Sequence, residues 1–172
     1  LKSIDSYTAR TNKIRQVPDS CKGCIDTACL FCVAGRQWHE DYKKHLSLQG
    51  LRDQVVEEPE YEVYRFGNSG TLPSNVRASV PIVICGKARK IVYSVVDSPT
   101  LGLLIGRDFL EPAKVDICIH ANLIKIGRDS QKLVKSQAGH PAITLQPESW
   151  KTSKDACIVA ADLPPSTIVH DN

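Results

Sequence analysis

The sequence predicts a mostly β fold with one or two short helices, on three observations. Tyr61-Glu62-Val63-Tyr64-Arg65-Phe66, Val76 to Ile84 and Lys90 to Val96 are rich in β-branched and aromatic residues, as strands are. Turn signals separate these runs: Gly67-Asn68-Ser69-Gly70 and Gly86-Lys87. One stretch, Gly35 to Gly50, has helical spacing, with Trp38, Tyr42 and His45-Leu46 recurring at one-turn intervals and Gly50 suited to the stop.

Along the chain, residues 1–20 read as a polar leading arm with a strand expected around Ser6 to Thr8 and a break at Pro18-Asp19-Ser20. Cys24-Ile25-Asp26-Thr27 reads as a strand entering a turn. After the helix come strands at Val55-Val56 and Tyr61 to Phe66, then the two longer runs already named. Leu101 to Leu110 is apolar and breaks at Gly106. Val115 to Ile126 reads as two short strands around Ala121-Asn122, and Ala142 to Leu145 as a last strand. The core domain is expected over 21–147. Residues 148–172, with Pro164-Pro165, are expected to form a poorly ordered tail or linker.

The chain has 172 residues, the length of one domain. A chain of this size buries roughly 70% of its unfolded surface and needs no staple. A net charge of +3 is too small to argue for nucleic acid or a membrane surface as partner. Lys87-Ala88-Arg89-Lys90 and Tyr42-Lys43-Lys44 read as a solvated turn and a solvated helix face. No apolar run approaches the ~20 residues of a membrane span, and Leu1-Lys2-Ser3-Ile4-Asp5 has no signal-peptide core. With no Met in the chain, the sequence reads as a fragment of something longer. Seven Cys without an export signal point to reduced thiols in the cytoplasm. No phosphate loop, Gly-x-Ser-x-Gly or His-x-x-x-His spacing occurs, so no cofactor is expected. The five histidines read as surface or satisfied residues.

Ile25-Asp26-Thr27-Ala28 is the candidate for chemistry. Two carboxylates about 3 Å apart cannot both ionise, so they share a proton, one activating a water and the other protonating the developing oxyanion. Such a site needs an apolar strand, an Asp, a small hydroxyl residue and a small residue for a tight turn. Asp5-Ser6, Asp19-Ser20, Asp97-Ser98 and Asp129-Ser130 lack the small residue that follows. The chain therefore offers one such acid where the chemistry needs two.

A second segment adds to this reading. Ile84-Cys85-Gly86-Lys87 through Val95-Val96-Asp97-Ser98-Pro99-Thr100 to Leu104-Ile105-Gly106-Arg107-Asp108 resembles the second half of a retropepsin. Asp26-Thr27-Ala28-Cys29 followed by Val33-Ala34-Gly35 and Trp38 is similar to the retrotransposon polyprotein branch of that family, as are Tyr64-Arg65-Phe66-Gly67-Asn68 and Gly139-His140-Pro141-Ala142. The resemblance implies a single retropepsin-like lobe, a closed acid-protease β-barrel, that acts as an aspartic endopeptidase on its own polyprotein. It implies a homodimer in which each copy gives one catalytic Asp26, held in a turn with Thr27 and Ala28. It further implies a flap at Phe66, Gly67, Asn68, Ser69 and Gly70, substrate pockets at Leu30, Phe31, Leu103 and Leu104, and structural roles for Gly106 and Arg107. Ala28 stands where the family more often has Gly, and Leu30-Phe31 is more apolar than usual there.

Two other readings stand beside this one. The first is a catalytically inactive module of the same fold. The second is a zinc module on Cys21-x-x-Cys24 and Cys29-x-x-Cys32. Only Ile-Asp-Thr-Ala separates the pairs, which would hold Asp26 in a cramped loop, so zinc and a carboxylate dyad exclude each other. The thiols are otherwise read as buried and free, or as a redox pair beside the acid. Cys85 and Cys118 read as core.

Overall fold

A computed structural model describes residues 16–67, 70–153, 158–159 and 169–171. In chain order these form β1 (Lys22–Ile25), β2 (Val33–Gly35), α1 (Arg36–Leu48), β3 (Val56–Phe66), β4 (Gly70–Ile84), β5 (Lys87–Val96), β6 (Leu103–Ile105) and α2 (Arg107–Leu110). Then follow β7 (Val115–Cys118), β8 (Leu123–Ile126), β9 (Asp129–Lys132), β10 (Val134–Lys135), β11 (Pro141–Thr144), β12 (Ile158–Val159) and β13 (Val169–Asp171). The mostly β class with short helices is what the structure shows. The strand expected at Ser6 to Thr8 lies outside the described residues.

The main sheet runs β10-β11-β1-β6-β2-β5-β4-β3-β13, with β12 on β5. β7-β8-β9 form a separate meander. The sheet curls back on itself: Leu145, leaving β11, accepts from the Val83 N–H of β4 at 2.8 Å and donates to the Cys21 C=O before β1 at 3.0 Å. Its concave side holds the core, which includes Tyr42, Leu46, Ile82, Ile84, Tyr93, Ile105, Phe109 and Leu145. At about 1.5–3 kcal/mol for each large side chain removed from water, this cluster is the main source of stability.

Local chemistry accounts for the element ends. The β4–β5 turn is Cys85-Gly86, with φ of 49° and 71°, the two positive values that a type I′ hairpin demands. Cys85 is held in that unusual conformation by its N–H, which donates to Gln131 Oε1 of β9 at 2.9 Å. α1 ends in a Schellman motif. Gly50, at φ 67°, donates to the Ser47 C=O, and Leu51 to the Leu46 C=O. The face of α1 toward the sheet carries Trp38, His39, Tyr42 and Leu46. Trp38 stacks on Tyr42 with centroids 5.0 Å apart, and the Tyr42 hydroxyl donates to the Pro81 C=O.

Several expectations need correction. The strands at Val55-Val56 and Tyr61 to Phe66 are one strand, β3, with an irregularity between Pro59 and Glu62. Arg89, expected in a solvated turn, is 6% exposed, and Tyr42 is fully buried. The fold also runs on past Pro147: a 3₁₀ segment over Pro147–Thr152 packs Trp150 on the core, and Ser153 bonds the β4–β5 turn. The short strands β12 and β13 lie within the segment expected to be a poorly ordered tail.

His39 is buried with both ring nitrogens in use, bonded to the Tyr93 hydroxyl and to Glu57 Oε1, each at 2.7 Å. Nε2–H donating to the carboxylate leaves Nδ1 to accept from Tyr93, the pattern of a neutral imidazole. Burial holds the His39 pKa below its usual 6.5, against the opposing pull of Glu57. Hydrogen bonds from Lys43 and His39 draw Glu57 down from 4.5 to about 2. An unfolded chain protonates both groups more readily, so both signs agree: stability is lost as pH falls. The loss begins below the free-imidazole value and deepens as pH passes below that of a free carboxylate. A thermal melt series from pH 7 to pH 3 should show this fall. Glu57→Gln should remove the lower part of it, and an unchanged profile in that variant would count against the assignment.

Candidate active site

The strand order places β6 between β1 and β2. β6 runs parallel to β1, with Cys24 opposite Leu104, and antiparallel to β2, with Val33 opposite Leu104. The loop from Asp26 to Cys32 must therefore arch over the end of β6 to join its two neighbours. Asp26 sits where β1 ends, its N–H donating to the Ile105 C=O at 3.1 Å.

Asp26 closes its own turn. Oδ1 accepts from the Ala28 N–H at 3.0 Å and from the Cys29 N–H at 3.2 Å, which orients one face of the carboxylate with backbone donors. The residue is half-buried, while Thr27 and Ala28 are exposed at the tip. The rest of the loop is latched to the start of α2. Arg107 and Asp108 N–H groups donate to the Cys29 and Leu30 carbonyls at 2.9 and 3.1 Å. Asp108 Oδ1 accepts from both the N–H and the thiol of Cys32, and the Gly106 N–H donates to Cys32 Sγ at 3.2 Å. Gly106 has no room for a side chain: a Cβ there would lie 2.7 Å from the backbone of Phe31.

The β3–β4 hairpin rises beside this loop. Tyr64 and Phe66 of β3 and Leu72 of β4 join Phe31, Val33, Val96 and Leu101 in a satellite apolar cluster apart from the main core. The Tyr64 hydroxyl is fixed at 2.7 Å from Ser94 Oγ on β5. Phe66 and Leu72, next to the hairpin tip, thereby share one apolar cluster with Phe31 of the Asp26 loop. Gly67 and Gly70 lie at the tip, both exposed. Asn68 and Ser69 lie outside the described residues.

The residues named from sequence divide as follows. Asp26, Thr27, Ala28, Leu30 and Phe31 share one loop. Leu30 is 46% exposed and Phe31 belongs to the satellite cluster. Leu104 is half-buried and faces a cleft with Cys24, Leu101 and Trp38. Leu103 is 1% exposed, packs in the core and borders the same cleft as Leu104. Arg107 is exposed and pairs with Glu111 one turn along α2. Asp108 was not singled out from sequence, yet it ties Cys32 to α2. Its signal was its place after Gly106-Arg107. Burial raises its pKa above the usual carboxylate value, and the Cys32 bonds oppose that shift.

The four clustered cysteines do not gather at ligating distance from one another. Among the described residues, one group of three or more ligating side chains comes together, His39, Glu40 and Glu57. There the Lys43 ammonium bonds both carboxylates at 2.8 Å and occupies the place a cation would take. Cys29 and Cys32 turn instead to carboxylates. The Cys29 thiol is pushed up to about 12 by burial, then by the charge and hydrogen bond of Asp26. Cys32 is driven up by burial and by Asp108. A thiol at these values is no nucleophile at neutral pH. Alkylation followed by mass spectrometry should therefore label Cys24 and Cys118, both part-exposed, well before Cys29 or Cys32. Early modification of Cys29 in the folded protein would contradict the arrangement.

A scan against protein-family profiles matches none. A search of curated proteins finds no match either. Among solved structures the chain is similar to the retroviral protease-like domain of Ddi1 from Leishmania major. That likeness has a TM-score of 0.47 and 14% identity, over 67% of this chain and 85% of that one.

Proposed function

We propose that this chain is a retropepsin-like aspartic endopeptidase whose catalytic dyad is completed by a second copy of itself. One observation carries the reading: the placement of Asp26. Its carboxylate stands at the exposed end of β1, oriented by two backbone N–H groups, in a loop locked to α2 and flanked by a long hairpin. The carboxylate on α2 that holds this loop, Asp108, is committed to Cys32. One chain thus supplies one carboxylate at the tip of this turn, Asp26, which also accepts from the Cys29 thiol, and a two-fold axis beside the turn would supply its mate.

In the dimer the two Asp26 carboxylates share a proton. The ionised one takes a proton from a bound water, and the protonated one donates to the carbonyl oxygen of the scissile bond. The backbone donors at Oδ1 fix the plane in which that water is held. The β3–β4 hairpin closes over an extended peptide and keeps other water out. Phe31, Leu30 and Leu104 favour apolar side chains next to the cleaved bond. The substrate is the polyprotein of a retrotransposon, cut in the reducing cytoplasm.

The test is cleavage of a diverse peptide library between pH 4 and pH 7, with product ends read by mass spectrometry. The expected result is endoproteolysis that a statine-type mimic of the tetrahedral intermediate blocks. A folded dimer that cuts no peptide and binds no such mimic would leave the fold as a binding module only.

A further inference from the structure

Beside the Ala28 and Cys29 N–H groups on Oδ1, a side-chain donor reaches the Asp26 carboxylate: the thiol of Cys29. The two N–H groups already close the turn, and a turn of this kind asks for no further donor. The thiol bond is therefore surplus to the needs of the backbone. It is also well protected. Cys29 is 2% exposed, so bulk water does not compete for the bond. Its main chain is pinned on both sides. The N–H lies within the Asp26 turn, and the C=O accepts from the Arg107 N–H of α2 at 2.9 Å. Ala28, by contrast, lies at the exposed tip, where water can take the place of its N–H.

We propose that Cys29 is a positioning residue of the active site: its thiol, donating to Asp26 from the buried side, holds the carboxylate in the orientation that proton sharing requires. The inference rests on the dyad reading above and gives one of the clustered cysteines a part in it. The last torsion of an aspartate is soft, with two broad wells, so the plane of the carboxylate is set by its donors. A donor that water cannot displace keeps that plane when the loop tip meets substrate. A protonated thiol suits the task. Burial, then the charge and hydrogen bond of Asp26, push Cys29 up to about 12, so it keeps its hydrogen throughout the pH range of the cleavage assay. Cys32 provides the contrast. Its thiol goes to Asp108, which latches the loop to α2. The same bond thus serves the latch at one position and the reacting group at the other.

Raman spectra of the full chain read the bond without catalysis, because the S–H stretch falls in frequency when a thiol donates. Asp26→Ala removes the acceptor, so one S–H band should move up to the free-thiol position. No movement overturns the inference. Kinetics then separate positioning from packing. Cys29→Ala should lower kcat about tenfold, the order expected for one hydrogen bond to a charged group, with KM unchanged. Cys29→Ser loses the same sulfur but keeps a donor, and should recover most of the rate. If Cys29→Ala melts too low to assay, Cys29→Val fills the space without a donor and takes its place. A wild-type kcat in the donor-less variant, or equal losses with and without the serine hydroxyl, overturns the inference and leaves the peptidase reading intact. A wild-type chain that cuts no peptide removes both, and the band shift then records a bond of the turn alone.

Discussion

On the function proposed above, Asp26→Asn is expected to abolish peptide cleavage while leaving the fold and any dimer as they were. The substituted amide keeps an oxygen where Oδ1 now accepts from Ala28 and Cys29, so the turn retains both of its bonds. What it loses is the ability to exchange a proton. General acid–base groups contribute typically 10²–10⁴-fold, and here one change disables both halves of a shared-proton pair, so a loss of at least about a thousandfold is expected. Initial rates on a peptide chosen from the library give the activity, and a thermal melt gives the fold. An Asp26→Asn protein that cuts at the wild-type rate would remove Asp26 from the chemistry. A variant that has unfolded would instead show that the carboxylate's charge is needed for the turn, and Asp26→Glu would then separate the two effects.

Gly106→Ala is expected to destabilise the protein by about 3 kcal/mol, the upper part of the range for overpacked sites. The new methyl would meet the carbonyl carbon and oxygen of Phe31 at 2.7 Å and the Cys29 oxygen at 3.0 Å, all backbone atoms with nowhere to go. Relief requires the Asp26 loop to lift from α2, which stretches the bonds from Arg107 and Asp108 and shifts the carboxylate. A displacement of about 1 Å at a reacting group costs on the order of a hundredfold in rate. Chemical denaturation and kcat/KM should fall together. Gly102→Ala is the control, because a Cβ there meets only Trp38 at 3.8 Å. Equal effects from the two substitutions would contradict the latch.

The parts of this site legible in sequence are the local ones. Asp26 with its small neighbours, and Gly106 before a short helix, are set by turn chemistry and steric need, which a few adjacent residues encode. The insertion of β6 between β1 and β2 is encoded by no local pattern, since three short apolar strands can be ordered several ways. Nor was it legible that Leu103 is 1% exposed while Leu104 is half-buried, because in a short run of leucines nothing marks which alternate positions face inward, and a shift of one residue exchanges the faces. β3 shows the same limit in reverse. Its buried positions include Glu60 and Glu62, while Tyr61 is 81% exposed, so hydropathy alone assigns the wrong face. Ser74 Oγ compensates Glu60 by a direct hydrogen bond, a partner visible only once β4 is laid beside β3. β9, Asp129-Ser130-Gln131-Lys132, has no strand signal at all and is held by β8 and by the bonds of Gln131 to Cys85 and Thr144.

The threading of β6 between β1 and β2 also orders events in time. Asp26 is made early, but the strand beneath it and the helix that pins its loop come from residues 103–108, and Leu145 comes later still. A chain emerging from the ribosome cannot hold that carboxylate in place until most of the domain has been synthesised, and pairings between residues so distant in sequence form slowly. On the function proposed above, a protease embedded in its own precursor would be kept silent during its manufacture by topology.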